Sequence, residues 1–245
     1  MILYPAIDIR EGRAVRLLRG DYDREIAYDA DPLDAARRWA GQGARALHVV
    51  DLDGARAGSP QNLAQVQRIV REELGVTVQL GGGLRDADAV ESALAAGADR
   101  VVLGTAAVAD PDLVDELVER HTDRVLVSVD ARSGDVAAEG WERETGVGVE
   151  DLLRELATHG VGRFVYTPIE VDGTMTGPLV GRLRSAAAVA SDCGTELVYS
   201  GGVGSLDDLR GLAELRLPSL AGVIVGRALY EGRFTVAQGQ EALDG

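Results

Sequence analysis

The sequence predicts an α/β fold, a (β/α)8 barrel with an internal half-barrel duplication, and three observations carry that prediction. Short apolar runs alternate with longer amphipathic ones eight times over. Aromatic residues are only 4% of a chain that is 46% hydrophobic, so the core must consist of Val, Leu, Ile and Ala, which suit parallel strands covered on both faces. Several glycine and aspartate motifs recur about half a chain apart. The 245 residues also match the roughly 250 that such a barrel takes. An open doubly wound sheet satisfies the same alternation and is the competing arrangement. No linker, low-complexity segment or charge run marks a boundary, so residues 1–245 are expected to form a single domain.

The expected strands are 2–7, 46–50, 77–80, 100–103, 125–129, 163–166, 196–199 and 222–225. Between and after them, helical patterns occupy 32–42, 62–73, 86–96, 110–120, 150–159, 179–191, 206–215 and 236–243. Several open on start signals. Asp110-Pro111 combines a capping side chain with a proline whose missing N–H is harmless in the first turn, and Ser205 is a capping hydroxyl. The stretches after Asp8, to residue 30, and 131–149 are expected to be long loops.

Asp8 and Asp130 each close an apolar strand and stand 122 residues apart. Leu80-Gly81-Gly82-Gly83 has a counterpart 120 residues on, in Ser200-Gly201-Gly202-Val203. Gly104 answers to Gly226 at 122, and the run from Asp53 to Gly58 answers to that from Asp172 to Gly177 at 119. Four features in one order imply half-barrels of about 1–122 and 123–245. A duplicated half-barrel implies a site with approximate two-fold symmetry and a pseudo-symmetric ligand.

The net charge of -15, from 40 acidic and 25 basic residues, argues against nucleic acid and anionic membranes as partners. An anionic substrate would therefore need local positive sites. The single cysteine, Cys193, at an expected helix end, excludes an internal disulfide and suits a cytoplasmic enzyme. No apolar run approaches the roughly 18 residues of a membrane span, and the first five residues lack a signal-peptide layout. His48, His121 and His159 are scattered, so no metal is expected.

Barrel active sites lie at the C-terminal ends of the strands, where every repeated feature falls. Gly81, Gly82 and Gly83, with Gly104 and Thr105, would expose backbone N–H groups to an anion ahead of helices. Ser200, Gly201 and Gly202, with Gly226 and Arg227, would form a second phosphate cradle across the barrel, and Gly173 lies in a repeated loop nearby. Arg227 could contact phosphate or simply neutralise the region. Asp8 and Asp130 form an acid/base pair whose roles the residues alone do not assign. Thr167 could bind a substrate hydroxyl or relay a proton, and His48 reads as a structural or substrate-orienting residue. Arg16 and Arg19 could close over an anion or remain solvated. Trp141, near Arg143 in a polar stretch, could stack on a planar substrate ring.

Taken together, these motifs resemble the phosphoribosylformimino-5-aminoimidazole carboxamide ribotide isomerase family of histidine biosynthesis. The residues that carry the resemblance run from Pro5-Ala6-Ile7-Asp8-Ile9 through Val50-Asp51-Leu52-Asp53-Gly54, Gly81-Gly82-Gly83-Leu84-Arg85 and Gly140-Trp141 to Gly226-Arg227-Ala228-Leu229-Tyr230. The related cyclase of that pathway normally has cysteine where Ala6 stands, which favours the isomerase. The resemblance implies an Amadori rearrangement of a substrate with a phosphate at each end, with Asp8 as proton acceptor, Asp130 as proton donor, no cofactor and a monomeric enzyme. Two departures bear on substrate range. Pro168 stands where many members carry an acid after Thr167, and Glu139 stands where bifunctional relatives that also isomerise phosphoribosylanthranilate are expected to carry arginine. Both weaken the bifunctional reading. A cyclase subunit and a non-catalytic phosphosugar-binding barrel are the further alternatives.

Overall fold

The computed structural model describes residues 1–18, 21–29, 31–138, 141 and 143–245; side chains of 16–30, 138–140 and 142–144 lie outside the description. In chain order the elements are β1 (Ile2–Arg10), β2 (Arg13–Leu18), β3 (Asp21–Asp29), α1 (Pro32–Gly41), β4 (Ala46–Asp51), α2 (Leu52–Ala57), α3 (Leu63–Arg71), β5 (Thr77–Gly81), α4 (Ala87–Ala95), β6 (Arg100–Leu103), α5 (Thr105–Ala109), α6 (Pro111–His121), β7 (Val125–Arg132), β8 (Asp135–Ala138), β9 (Arg143–Gly148), α7 (Val149–Thr158), β10 (Arg163–Pro168), α8 (Val180–Asp192), β11 (Glu196–Ser200), α9 (Leu206–Glu214), β12 (Leu220–Val225), α10 (Arg227–Tyr230) and α11 (Val236–Asp244).

Eight parallel strands close into a barrel in the order β1-β4-β5-β6-β7-β10-β11-β12, with β12 returning to β1. The pairing of β7 with β10 joins the two halves, so the open-sheet alternative is excluded. All eight expected strands and all eight expected helices are present, with ends shifted by a few residues.

Strand pleating explains why these segments read as apolar runs. One face of the wall points into the barrel, where Tyr4, Ala6, Val102, Leu126, Val165, Val198 and Ile224 form an interior cluster. The other face, with Leu3, Ile7, Val49, Leu80, Val127 and Leu197, packs against the helices. The inward alternation continues to the C-terminal rim. Tyr4 and Ala6 lead to Asp8, Leu126 to Ser128 and Asp130, Val165 to Thr167, and Val198 to Ser200. The same period of two therefore fills the barrel and delivers polar groups to its mouth.

The outer helices begin as their capping residues require. Asp31, Asp86 and Asp110 accept from the N–H groups of Leu33, Ala89 and Leu113. Ser205 and Thr235 form capping boxes with Asp208 and Gln238. Each cap contributes about 0.5–2 kcal/mol. Among the described residues, no helix is long and apolar enough to cross a membrane.

Three expectations need correction. First, Asp8 and Asp130 do not end their strands: β1 runs on to Arg10 and β7 to Arg132, each into an antiparallel hairpin rather than a loop. The hairpin turns are Glu11-Gly12 (φ 50 and 72) and Ser133-Gly134 (φ 56 and 98), two-residue turns with the positive φ values that a type I′ turn needs. They too stand 122 residues apart. Each is held by an acid from the neighbouring strand's loop. Glu11 N–H donates to Asp53 Oδ2 at 2.6 Å, and Ser133 N–H donates to Glu170 Oε1 at 2.7 Å. Pairing with the rim of the barrel, not local hydrophobic alternation, makes these segments strands.

Second, α2, α5 and α10 are helices of 6, 5 and 4 residues, too short to show a helical period. Third, the glycine loops align differently. Gly82 and Gly83 (φ 99 and 76) correspond in conformation to Gly201 and Gly202 (φ 98 and 81), so the offset is 119, as for Asp53 and Asp172, rather than 120.

Candidate active site

A cavity of about 270 Å³ opens at the C-terminal mouth of the barrel. Asp8 and Asp130 both line it. Their strands, β1 and β7, are fourth neighbours in the ring of eight, so the two carboxylates face each other from opposite walls.

Asp130 is tightly held. Ser128 Oγ donates to Oδ1 at 2.7 Å, and the Trp141 indole N–H donates to Oδ2 at 2.8 Å. Thr167, its register partner on β10, adds a hydrogen bond from its hydroxyl. Burial is the largest influence on this carboxyl and pushes its pKa above the ordinary carboxylate value, while the three hydrogen bonds pull the other way. An acid held protonated longer than usual is suited to donating a proton. Trp141, expected to stack on substrate, is tied to the Asp130 carboxyl through its N–H. It does so with φ 74, a conformation uncommon for a residue with a side chain.

The two expected cradles lie at β5/β6 and β11/β12, again on opposite sides of the ring. In the first, Gly83 approaches Gly54 so closely that a Cβ would lie 2.8 Å from its carbonyl. Gly104 precedes the single turn of α5, where Thr105 is the first residue, and both line the cavity. The second cradle is tighter. Gly173, Ser200, Gly201, Gly202 and Gly226 border a separate recess of about 20 Å³ beside α10. The N-terminal turns of α5 and α10 start at the two cradles, at Thr105 and Arg227.

The arginines break the symmetry in an orderly way. Arg227 lines the second recess, but its guanidinium donates to the Gly173 carbonyl at 2.9 Å and to Glu231 at 2.6 Å. Arg85 lines the main cavity and donates to the Ala55 carbonyl at 3.1 Å. Each half thus has one guanidinium braced on the loop after its second strand, supplied after β5 in one half and after β12 in the other. Arg85 had not stood out in the sequence, although it follows the glycine run by two residues. Ser128 was also missed, yet it lies one inward step before Asp130.

His48 lines the cavity. Asp51 does not belong to the chemistry. It caps α2 through Gly54 N–H and also accepts from Gln61 N–H and Asn62, a fully structural set of bonds. Pro168 is buried at the end of β10, paired with Ala131, and brings no charge to that wall. Arg19 and Glu139 lie outside the described residues, as do the side chains of Arg16 and Arg143.

The arrangement can move protons between adjacent carbons of a ligand anchored at both ends by anionic groups. The family model described as "Histidine biosynthesis protein" matches residues 2–235. A relative from Moorella thermoacetica is 48% identical over 97% of this chain and 96% of its own length. Relatives from Thermomicrobium roseum and Sorangium cellulosum are 49% and 50% identical, covering 95% and 99% of this chain and 93% and 99% of their own lengths. All three are named 1-(5-phosphoribosyl)-5-((5-phosphoribosylamino)methylideneamino)imidazole-4-carboxamide isomerase. With similarity of this extent across a closed barrel, the chain belongs to the histidine biosynthesis protein family.

Proposed function

We propose that the protein is an intramolecular aldose–ketose isomerase that carries out the Amadori rearrangement of the phosphoribosylformimino-aminoimidazole carboxamide ribotide named in its relatives. The observation that carries this reading is the placement of Asp8 and Asp130 on opposite walls of one cavity, between two glycine cradles. In this mechanism the cradles bind the two phosphates and set the sugar across the mouth. Asp130 gives its proton to the ring oxygen as the ribosylamine opens to an iminium at C1. Asp8 takes the proton from C2, and the electron pair forms the enol amine. Tautomerisation then gives the C2 ketone. Thr167 and Trp141 orient Asp130, and the raised pKa of Asp130 suits it to the donor role.

The same reading includes a cytoplasmic, monomeric enzyme of one domain acting on a small phosphosugar, with no nucleic-acid or membrane partner, no metal and no cofactor. The charge of -15 and the single cysteine support it. The test is a parallel assay of the pure protein on the aminoimidazole substrate and on phosphoribosylanthranilate. Turnover of the first alone is expected, with Asp8→Asn and Asp130→Asn each losing about 10²–10⁴-fold. Undiminished turnover in either variant would refute the assigned pair.

A further inference from the structure

Gln79 is a polar side chain with 0% exposure, at the middle of β5 between Val78 and Leu80. Its Nε2 lies 2.8 Å from Nδ1 of His48, its register partner on β4. Its Oε1 is buried and has no hydrogen-bond partner among the described residues. A buried amide oxygen left in that state costs about 1–3 kcal/mol. A leucine or methionine would fill the same space without that cost, so the side chain's one useful contact is the bond to His48.

The bond has a chemical consequence. With its amide nitrogen turned to the ring, Gln79 donates and Nδ1 of His48 accepts. An imidazole that accepts at Nδ1 is neutral and carries its proton on Nε2. Protonating the ring would set Nδ1–H against the amide N–H. His48 lines the cavity and Gln79 does not, so Gln79 lies behind the ring. The strands fix where the ring stands. Ala6 pairs with His48 and Asp8 with Val50, so His48 lies one inward layer beneath the catalytic aspartate on the adjoining strand.

We infer that Gln79 is a positioning residue that fixes His48 as a neutral Nε2–H donor for the substrate's sugar oxygens beside Asp8. The inference rests on the isomerase reading. When Asp8 withdraws the C2 proton, the electron pair moves to the C1 iminium and C2 keeps its hydroxyl; a fixed donor to that oxygen holds the C2–H bond toward Asp8 without reorganising. A ring free to change tautomer would present an acceptor part of the time and lose that advantage.

The test uses the full protein labelled with 15N-histidine. The His48 signals are identified by their absence in His48→Asn. Wild type is expected to show a neutral His48 with the proton on Nε2. In Gln79→Met, which keeps the volume and deletes the donor, the nitrogen signals should move to a tautomer mixture. Its kcat should fall by about 10- to 100-fold, the scale of loss when a reacting group is misplaced, with thermal stability retained. In Gln79→Glu, which offers an acceptor, the proton should move to Nδ1 and kcat should fall further. A wild-type His48 protonated on Nδ1 overturns the proposal, as does Gln79→Met with unchanged tautomer and unchanged kcat. If the wild-type protein never turns over the aminoimidazole substrate, the isomerase reading fails, while the spectra still decide whether Gln79 sets the state of His48.

Discussion

Gly82 and Gly201 occupy equivalent positions in the two halves, with φ values of 99 and 98, yet alanine should be tolerated very differently at the two. A Cβ on Gly82 would lie 2.2 Å from the carbonyl oxygen of Asp51 and 2.8 Å from its carbon. On Gly201 the nearest atom would be the Pro168 carbonyl oxygen, at 3.4 Å. The Asp51 backbone has little room to yield, because its carboxylate is bonded to Gly54, Gln61 and Asn62. Both substitutions carry the positive-φ cost of about 1–2 kcal/mol. Only Gly82→Ala adds overlap, worth about 1–3 kcal/mol. At about 2–4 °C per kcal/mol for a chain of this size, Gly82→Ala should unfold about 2–12 °C below Gly201→Ala. Calorimetry, with urea unfolding alongside, measures the difference. Gly81→Ala is the control. Its Cβ would meet Val102 at an ordinary 3.5 Å, so stability should hold within about 0.5 kcal/mol while the methyl at the cavity wall raises KM. Equal unfolding temperatures for the Gly82 and Gly201 variants, or the reverse order, would refute the contact with Asp51 as the source of the cost.

Trp141→Phe keeps the ring but removes the N–H bond that favours ionised Asp130. The pKa of Asp130 should rise further, and the alkaline limb of kcat/KM should move to higher pH; a limb that stays or moves down contradicts the donor role. The raised pKa of Asp130 also has a stability consequence. The folded state holds this proton more tightly than the unfolded one, so the contribution is full below the ordinary 3.8 and is lost as pH rises through the folded value. Asp130→Asn should remove that decline from a plot of unfolding free energy against pH. Asp53→Ala deletes the acceptor for Glu11 N–H and for Asn62 Nδ2 and should cost about 1–3 kcal/mol; hydrogen exchange at Ala14 and Val15 in β2 should quicken before that of β4 does.

Much of this protein is legible in its sequence. Buried parallel strands are continuous apolar runs, and helices announce themselves by period and by capping residues such as Asp110 and Ser205. Both signals are local, and the chain repeats them eight times. Asp8, Asp130 and the paired glycines were found because duplication copies residues at a nearly constant spacing. The spacing misled once, by one residue, at the glycine loops, because backbone conformation rather than letter identity defines equivalence there.

What the sequence left open depends on neighbours distant along the chain. The segments after Asp8 and Asp130 are hairpins because the barrel rim supplies antiparallel partners and because Asp53 and Glu170 hold their turns. Arg85 and Arg227 serve matching loops from different strands, a swap that no spacing rule reveals. Sequence alone did not mark Gln79 as anything but a polar residue in a strand. Closing the barrel put it against His48 and left its carbonyl buried. The sequence by itself determined the barrel and the two carboxylates, because period and repeat are properties of one stretch of chain. Only the tertiary structure decided how Asp130 and His48 are held, because burial and hydrogen-bond partners come from strands that meet only when the sheet closes.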